Sequence, residues 1–100
     1  MKKLIIIFII VFLLFSCGDL SGKYRIHYYG NGATSGYPPD DNTEYTSGSY
    51  AVVLGNKTLK RTGFTFSGWN TMQDYSGDYY IEGQKIEIKN FSVFLHAVWN

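Results

Sequence analysis

Disulfides can play no part in holding this fold, because the 100 residues include a single cysteine, Cys17, and one thiol has no intramolecular partner. Proline is nearly absent too. Pro38 and Pro39 are the only two, so one short segment alone is barred from both helix and central strand. Histidine is limited to His27 and His96, which leaves few candidates for a general base or a nitrogen metal ligand. Each lies in a segment that reads as a strand, where packing or an exposed-face role is the simpler assignment. The charge is almost balanced, with nine Lys and Arg against eight Asp and Glu. A nucleic-acid binder would need a basic stripe, and none is visible. Outside the N-terminus there is also no amphipathic helical pattern of ten or more residues.

What is abundant is aromatic: 18% of the chain is Phe, Trp or Tyr, nearly all beyond the N-terminal segment. A short domain without disulfides buries a smaller fraction of its surface and must rely on large side chains. The N-terminus has a different character. Lys2 and Lys3 precede an unbroken apolar run over 4–15, and Leu14-Phe15-Ser16-Cys17 closes it. That pattern predicts a secretory signal over 1–16, since the run is well short of the ~20 residues of a spanning helix. A small residue just before a cysteine resembles the bacterial lipobox, although Phe15 stands where a small or branched residue is usual. The expectation is diacylglycerol and a fatty acyl chain (palmitate) on Cys17, with a retained membrane anchor and a plain free thiol as the alternatives. Once 1–16 is removed, seven Lys and Arg face eight Asp and Glu. Residues 17–23 form a tether that spans only about 25 Å even when fully extended, so the domain that follows, over 24–100, sits close to its membrane.

Along that domain the alternation at 23–29 puts Tyr24, Ile26 and Tyr28 on one face and Arg25, His27 and Tyr29 on the other, as in a half-buried strand. Gly30-Asn31-Gly32 tolerates positive φ and predicts a turn. Residues 33–49 are polar and read as a long ordered loop. A short strand is expected at 49–54, and Leu59, the one apolar residue of its neighbourhood, is expected to plug a loop against the core. In 63–70, strict alternation places Phe64, Phe66 and Gly68 on one side and Thr65, Ser67 and Trp69 on the other. Further on, 71–77 is a polar excursion, 78–81 is extended, Gly83 breaks the chain, and Ile86 and Ile88 alternate with charged residues. The segment 93–99 closes the chain as a strand that is apolar on both sides except for His96.

The order of these signals resembles one unit of a known family. Tyr24-Arg25-Ile26-His27-Tyr28-Tyr29-Gly30-Asn31-Gly32-Ala33-Thr34-Ser35-Gly36, then Gly63-Phe64-Thr65-Phe66-Ser67-Gly68-Trp69-Asn70-Thr71, then Tyr80 and Gly83, then Leu95-His96-Ala97-Val98-Trp99 is similar to the Listeria/Bacteroides repeat, also called the internalin B-repeat. The resemblance covers 24–99, and its most specific parts are the Gly-aromatic-Thr-Phe-x-Gly-Trp block and the closing Leu-x-Ala-x-Trp. His96 stands where the family usually has Tyr, and 74–78 is a variant of a Gly-rich loop. The resemblance implies a mostly β, small β-grasp-like domain with a four-stranded sheet, long loops and little or no helix. It implies a place on bacterial surface proteins, usually in tandem arrays, and no enzymatic activity. It carries no universal ligand, and a single copy cannot gain avidity from repetition.

The structural core expected from these motifs is Phe64, Phe66, Trp69, Leu95, Ala97 and Trp99. No catalytic residue and no metal site is expected. The carboxylates at Asp40, Asp41 and Glu44, and at Asp74 and Asp78, lack the spacing of a calcium loop. No cofactor is expected beyond the lipid on Cys17. The surplus is tyrosine: Tyr37, Tyr45, Tyr50, Tyr75, Tyr79 and Tyr80 fall in or beside loops, and tyrosine supplies rigid contact area with a polar tip. They are the candidate surface for a protein or glycan ligand, with roofing of the core as the competing role. The resulting picture is a non-catalytic interaction lipoprotein of the bacterial cell envelope or surface, held to the membrane by lipid, with no nucleic-acid partner. A structural envelope lipoprotein packing beside another membrane component is the alternative.

Overall fold

The computed structural model describes residues 22–100. The signal expected over 1–16, the lipid on Cys17 and most of the 17–23 tether lie outside the described residues. Six strands follow in chain order: β1 (Ile26–Tyr29), β2 (Tyr50–Val52), β3 (Phe66–Asn70), β4 (Tyr79–Tyr80), β5 (Lys85–Glu87) and β6 (Val93–Trp99). No helix occurs among the described residues, so the fold is mostly β, with the four-stranded sheet that the family resemblance implies. Its order is β1-β6-β3-β4. The closing strand β6 lies in its middle, parallel to β1 and antiparallel to β3, which suits a strand apolar on both sides. β2 and β5 pair separately as an antiparallel ribbon, a second sheet that the sequence pattern does not announce.

The two sheets share one core. Ile26 and Tyr28 from β1, Trp69 from β3, and Leu95, Ala97 and Trp99 from β6 meet Ala51, Val53, Ile86 and Ile88 from the ribbon and its flanks. Each sheet thus buries one face against the other, the usual solution for a small β domain. Leu59 plugs this core from its loop at 2% exposure. The turn at 30–32 forms with Asn31 at φ 47° and Gly32 at φ 91°. The long loop over 33–49 is ordered by backbone pairs of Tyr24 with Tyr45 and Ser35 with Lys60.

Two expectations for 63–70 need correction. Phe64 is not part of the core: it is 47% exposed, and its ring lies under the Arg61 guanidinium, 4.1 Å from centroid to Cζ. The cause is local, because Phe64 sits in a turn closed by its N–H donating to the Arg61 carbonyl at 2.9 Å, with Gly63 at φ 83°. The strand starts only at Phe66. The second correction is to the alternation itself. The register against β6 slips between Phe66 and Gly68, so Ser67 is an extra residue and the faces swap across it. Phe66 and Trp69 therefore share the inner face, with ring centroids 5.1 Å apart at 69°.

The sheets are also joined by polar contacts. The indole N–H of Trp69 donates to the Leu54 carbonyl at 2.8 Å, and the Leu54 N–H donates to the Tyr28 hydroxyl at 3.0 Å. Burial pushes the Tyr28 phenol up from 10.0 to about 12, against the Leu54 hydrogen bond, which favours the phenolate. The folded pKa therefore lies above the unfolded one. The stability that this group contributes is complete below pH 10 and is lost as pH rises through about 12. Tyr28→Phe is expected to flatten that alkaline loss in urea titrations. At neutral pH it should cost about 1 to 3 kcal/mol, because the Leu54 N–H is left without its acceptor.

Candidate functional site

The register fixes which side chains lie on the face of the large sheet turned away from the core. His27 lies opposite Phe94 and Tyr29 opposite His96. Asn70 of β3 also lies opposite His96, and Tyr79 of β4 lies opposite Asn70. An outward sheet face in water usually alternates polar residues, yet here it carries a run of rings. His27 and Phe94 stack with centroids 5.0 Å apart at 16°. Tyr29 stacks on Phe94 at 6.2 Å and 16° and on His96 at 5.3 Å and 20°. Four rings from two strands thus stand nearly parallel on the sheet, with Tyr29 43% and Phe94 48% exposed. Such pairs stabilise by about 0.5 to 1.5 kcal/mol each beyond burial, which holds the rings in one arrangement.

The rest of the outer face is roofed. Asn70, buried at 3% exposure, organises the roof: its carbonyl oxygen accepts from Met72 N–H and Gly77 N–H, both at 2.9 Å. Its amide donates to the carbonyls of Tyr75 at 3.3 Å and Gly77 at 3.4 Å. The loop so held crosses the sheet, and the Tyr75 hydroxyl accepts from Trp99 N–H at 3.1 Å. The Tyr79 hydroxyl donates to the Ser67 carbonyl, laying its ring over Gly68. At the far end the Asn31 amide donates to the carbonyls of Ala97 at 2.9 Å and Gln73 at 3.1 Å. The four-ring stack begins where the roof stops, with Tyr29 and Phe94 exposed and His27 and His96 partly buried.

The six candidate tyrosines do not converge on one surface. Tyr75 and Tyr79 share the outer face as parts of the roof. Tyr80, one position on, points the other way and packs half-buried against the core. Tyr50 lies outward on the ribbon, 63% exposed. Tyr45 packs on the core edge, donating from its hydroxyl to Asp41 Oδ2 at 2.7 Å; burial first, and then that carboxylate, push its pKa up. Tyr37, 79% exposed, stands with Pro38 and Pro39 beside a shallow groove along β1. The residues that the tyrosine argument missed are His27, Tyr29, Phe94 and His96. Their signal was present in the alternation, where the outward positions of two strands carry rings instead of charges.

The carboxylates serve local structure. Glu44 pairs with Arg25 at 3.5 Å, Asp41 accepts from Thr43 N–H at 3.0 Å, and Asp74 accepts from Ser76, whose side chain and backbone hold the Asp74 pKa down. Among the described residues no three His, Cys, Asp or Glu side chains are grouped so as to hold a metal ion.

Known proteins give this geometry a family setting. The Listeria-Bacteroides repeat domain matches residues 24–97. Two relatives come from Evansella cellulosilytica. One, named "Putative membrane protein", is 38% identical over 77 residues, covering 77% of this chain and 11% of its own length. The other, named "Putative Gly-rich membrane protein", is 39% identical over 77 residues, covering 77% of this chain and 9% of its own length. The chain therefore spans only about a tenth of the length of these relatives. No solved structure matches it. With one copy matched from β1 to Ala97 within β6, the chain belongs to the Listeria-Bacteroides repeat domain family.

Proposed function

We propose that this protein is a non-catalytic interaction module of the bacterial cell envelope, held at the membrane through its N-terminus by lipid on Cys17. We assign recognition of a protein partner to the open part of the outer sheet face. The observation that carries the reading is the partly exposed stack of His27, Phe94, Tyr29 and His96. An aromatic surface with Tyr29 and Phe94 about half-exposed is unusual on a face turned to water, and exposed apolar rings of this kind mark interaction sites. Two further facts support the membrane part: the cysteine that ends the apolar N-terminal run, and the names of the two relatives.

A protein ligand fits this face better than a glycan. A sugar ring packs against the flat side of an aromatic ring. These rings turn flat sides to one another, at interplanar angles of 16° to 20°, so stacking occupies the flat sides of Phe94 and Tyr29 and leaves only the outer sides of the end rings His27 and His96. Ring edges suit the aromatic and aliphatic side chains of a protein.

A photo-crosslinking residue at Phe94, used on intact cells, is the test. The expected result is a discrete adduct that disappears when Tyr29→Ala is added. Tyr29→Ala is expected to cost about 1 to 3 kcal/mol through the loss of its two stacked pairs, so the loss of the adduct is read on protein shown by circular dichroism to remain folded. An adduct yield insensitive to Tyr29→Ala, in a protein shielded from protease added outside the cells, would favour the structural envelope role instead.

A further inference from the structure

The described chain begins at the end of the large sheet where β1 starts, and the parallel pairing of β1 with β6 brings the start of β6 to that same end. Arg25 marks the junction. Its N–H donates to Ser92 Oγ at 3.1 Å, and its carbonyl accepts from Val93 N–H at 2.9 Å. Phe91 precedes Ser92 directly. Its ring is 59% exposed, and among the described residues it has no stacked aromatic partner. Beside it an open hollow of about 530 Å³ has Tyr80, Ile86, Phe91, Val93 and Phe94 as its apolar lining, with Asp78, Glu87 and Lys89 among the polar residues around them.

The length of chain that precedes this end restricts what can lie against it. Between the apolar run over 4–15 and Tyr24 the sequence has Ser16 to Lys23, and the stretch from Cys17 to Tyr24 spans at most about 25 Å when fully extended. A domain held at the membrane by that segment keeps the start of β1, and with it Phe91, near the lipid. The opposite end is far away. β6 has seven residues, a strand of roughly 20 Å at about 3.3 Å per residue, and Phe64 lies beyond its far end, next to the pairing of Thr65 with Asn100.

We propose that this end of the domain rests on the lipid surface, with Phe91 and the rim of the neighbouring hollow set at the boundary between headgroups and acyl chains. The proposal rests on the membrane attachment put forward above. An exposed apolar ring gains by leaving water for that boundary, and aromatic side chains are suited to it. In this orientation β6 stands away from the membrane and the stack of His27, Tyr29, Phe94 and His96 faces sideways, open to a partner in the same envelope layer.

The test uses the full chain purified from bacterial membranes. It is reconstituted into vesicles of phosphatidylcholine with a minority of phosphatidylglycerol, their acyl chains brominated near the headgroup. Phe91→Trp and Phe64→Trp each add one reporter at an exposed position. The native Trp69 and Trp99, 0% and 5% exposed, give a constant background that the parent chain measures. The emission added by Phe91→Trp is expected to be roughly halved by the brominated lipid, as for a ring at the headgroup boundary, and that added by Phe64→Trp to be unchanged. Flotation separates the two ways of failing. A chain that floats with the vesicles while Phe91→Trp keeps its full emission overturns the proposal and leaves the membrane attachment standing. A chain that does not float removes the attachment and the proposal together.

Discussion

Trp69→Ala is expected to lower the unfolding free energy by about 3 to 5 kcal/mol, read as a shift of the urea midpoint with an unchanged slope. A folded unit of this length holds roughly 4 to 12 kcal/mol in all, so the variant should be largely unfolded at or not far above room temperature. The size follows from what the indole does. Its exposure is 0%. Its ring meets Tyr28 edge to face at 4.8 Å and Phe66 at 5.1 Å, and its N–H is the donor that reaches from the large sheet to Leu54 beside the ribbon. Alanine leaves a cavity that neighbours from two sheets cannot all collapse into, and it leaves the Leu54 carbonyl without this donor. Trp69→Phe keeps most of the volume and loses the hydrogen bond, so it should cost distinctly less. Equal melting of the parent and Trp69→Ala would mean that the two sheets do not depend on this contact.

Gly36→Ala is expected to cost about 2 to 4 kcal/mol, the sum of an unfavourable backbone conformation and a steric conflict. Gly36 has φ 81°, and a Cβ built there would lie 1.9 Å from the Thr58 carbonyl oxygen. That oxygen belongs to the backbone and cannot rotate away. The conflict falls where the long loop is fastened. Thr34 N–H donates to the Lys60 carbonyl at 2.8 Å, Lys60 N–H donates to the Ser35 carbonyl at 3.0 Å, and Tyr37 N–H donates to Thr58 Oγ1 at 2.9 Å. Prising this apart loosens the segment that carries Leu59 into the core. Gly48→Ala is the internal control. Gly48 has a similar φ of 89° but no atom within 4 Å of the added Cβ, so it should show only the conformational part, about 1 to 2 kcal/mol. Chemical denaturation of the two variants side by side separates space from strain. If both lose the same amount, the close approach at Thr58 is not a constraint in solution.

These two residues also mark where sequence reasoning reaches and where it stops. That Trp69 anchors the core was legible, because a large apolar ring in a small domain without disulfides has few other places to go. The partner of its N–H was not legible, since Leu54 lies just past the end of β2, outside the sheet that holds Trp69. Gly36 belongs to the family's opening motif, but the need for glycine there comes from Thr58, more than twenty residues away. The candidate site shows the same division. His27 and Tyr29 could be seen to alternate outward, and so could Phe94 and His96. Only the pairing of β1 with β6 made one surface of them. The tyrosines drew attention by their number, but residues in loops carry no periodicity from which to infer a common face, and the fold sends them to several separate places.

By itself the sequence determined what short-range physics can determine: the absence of helix among the described residues, the strands marked by alternation in 23–29 and 84–89, the turn at 30–32, the buried Leu59, and the family to which residues 24–97 belong. These follow from the two-residue period of a strand and from the φ preferences of Gly and Asn, which act within a few residues. Tertiary structure alone decided that Ser67 is an extra residue in β3, which puts Phe66 on the same face as Trp69. It also decided that β2 and β5 form a sheet of their own and that four rings stack on the outer face. Each of these depends on the register between segments distant in the chain, and a slip of one residue there exchanges the two faces of a strand.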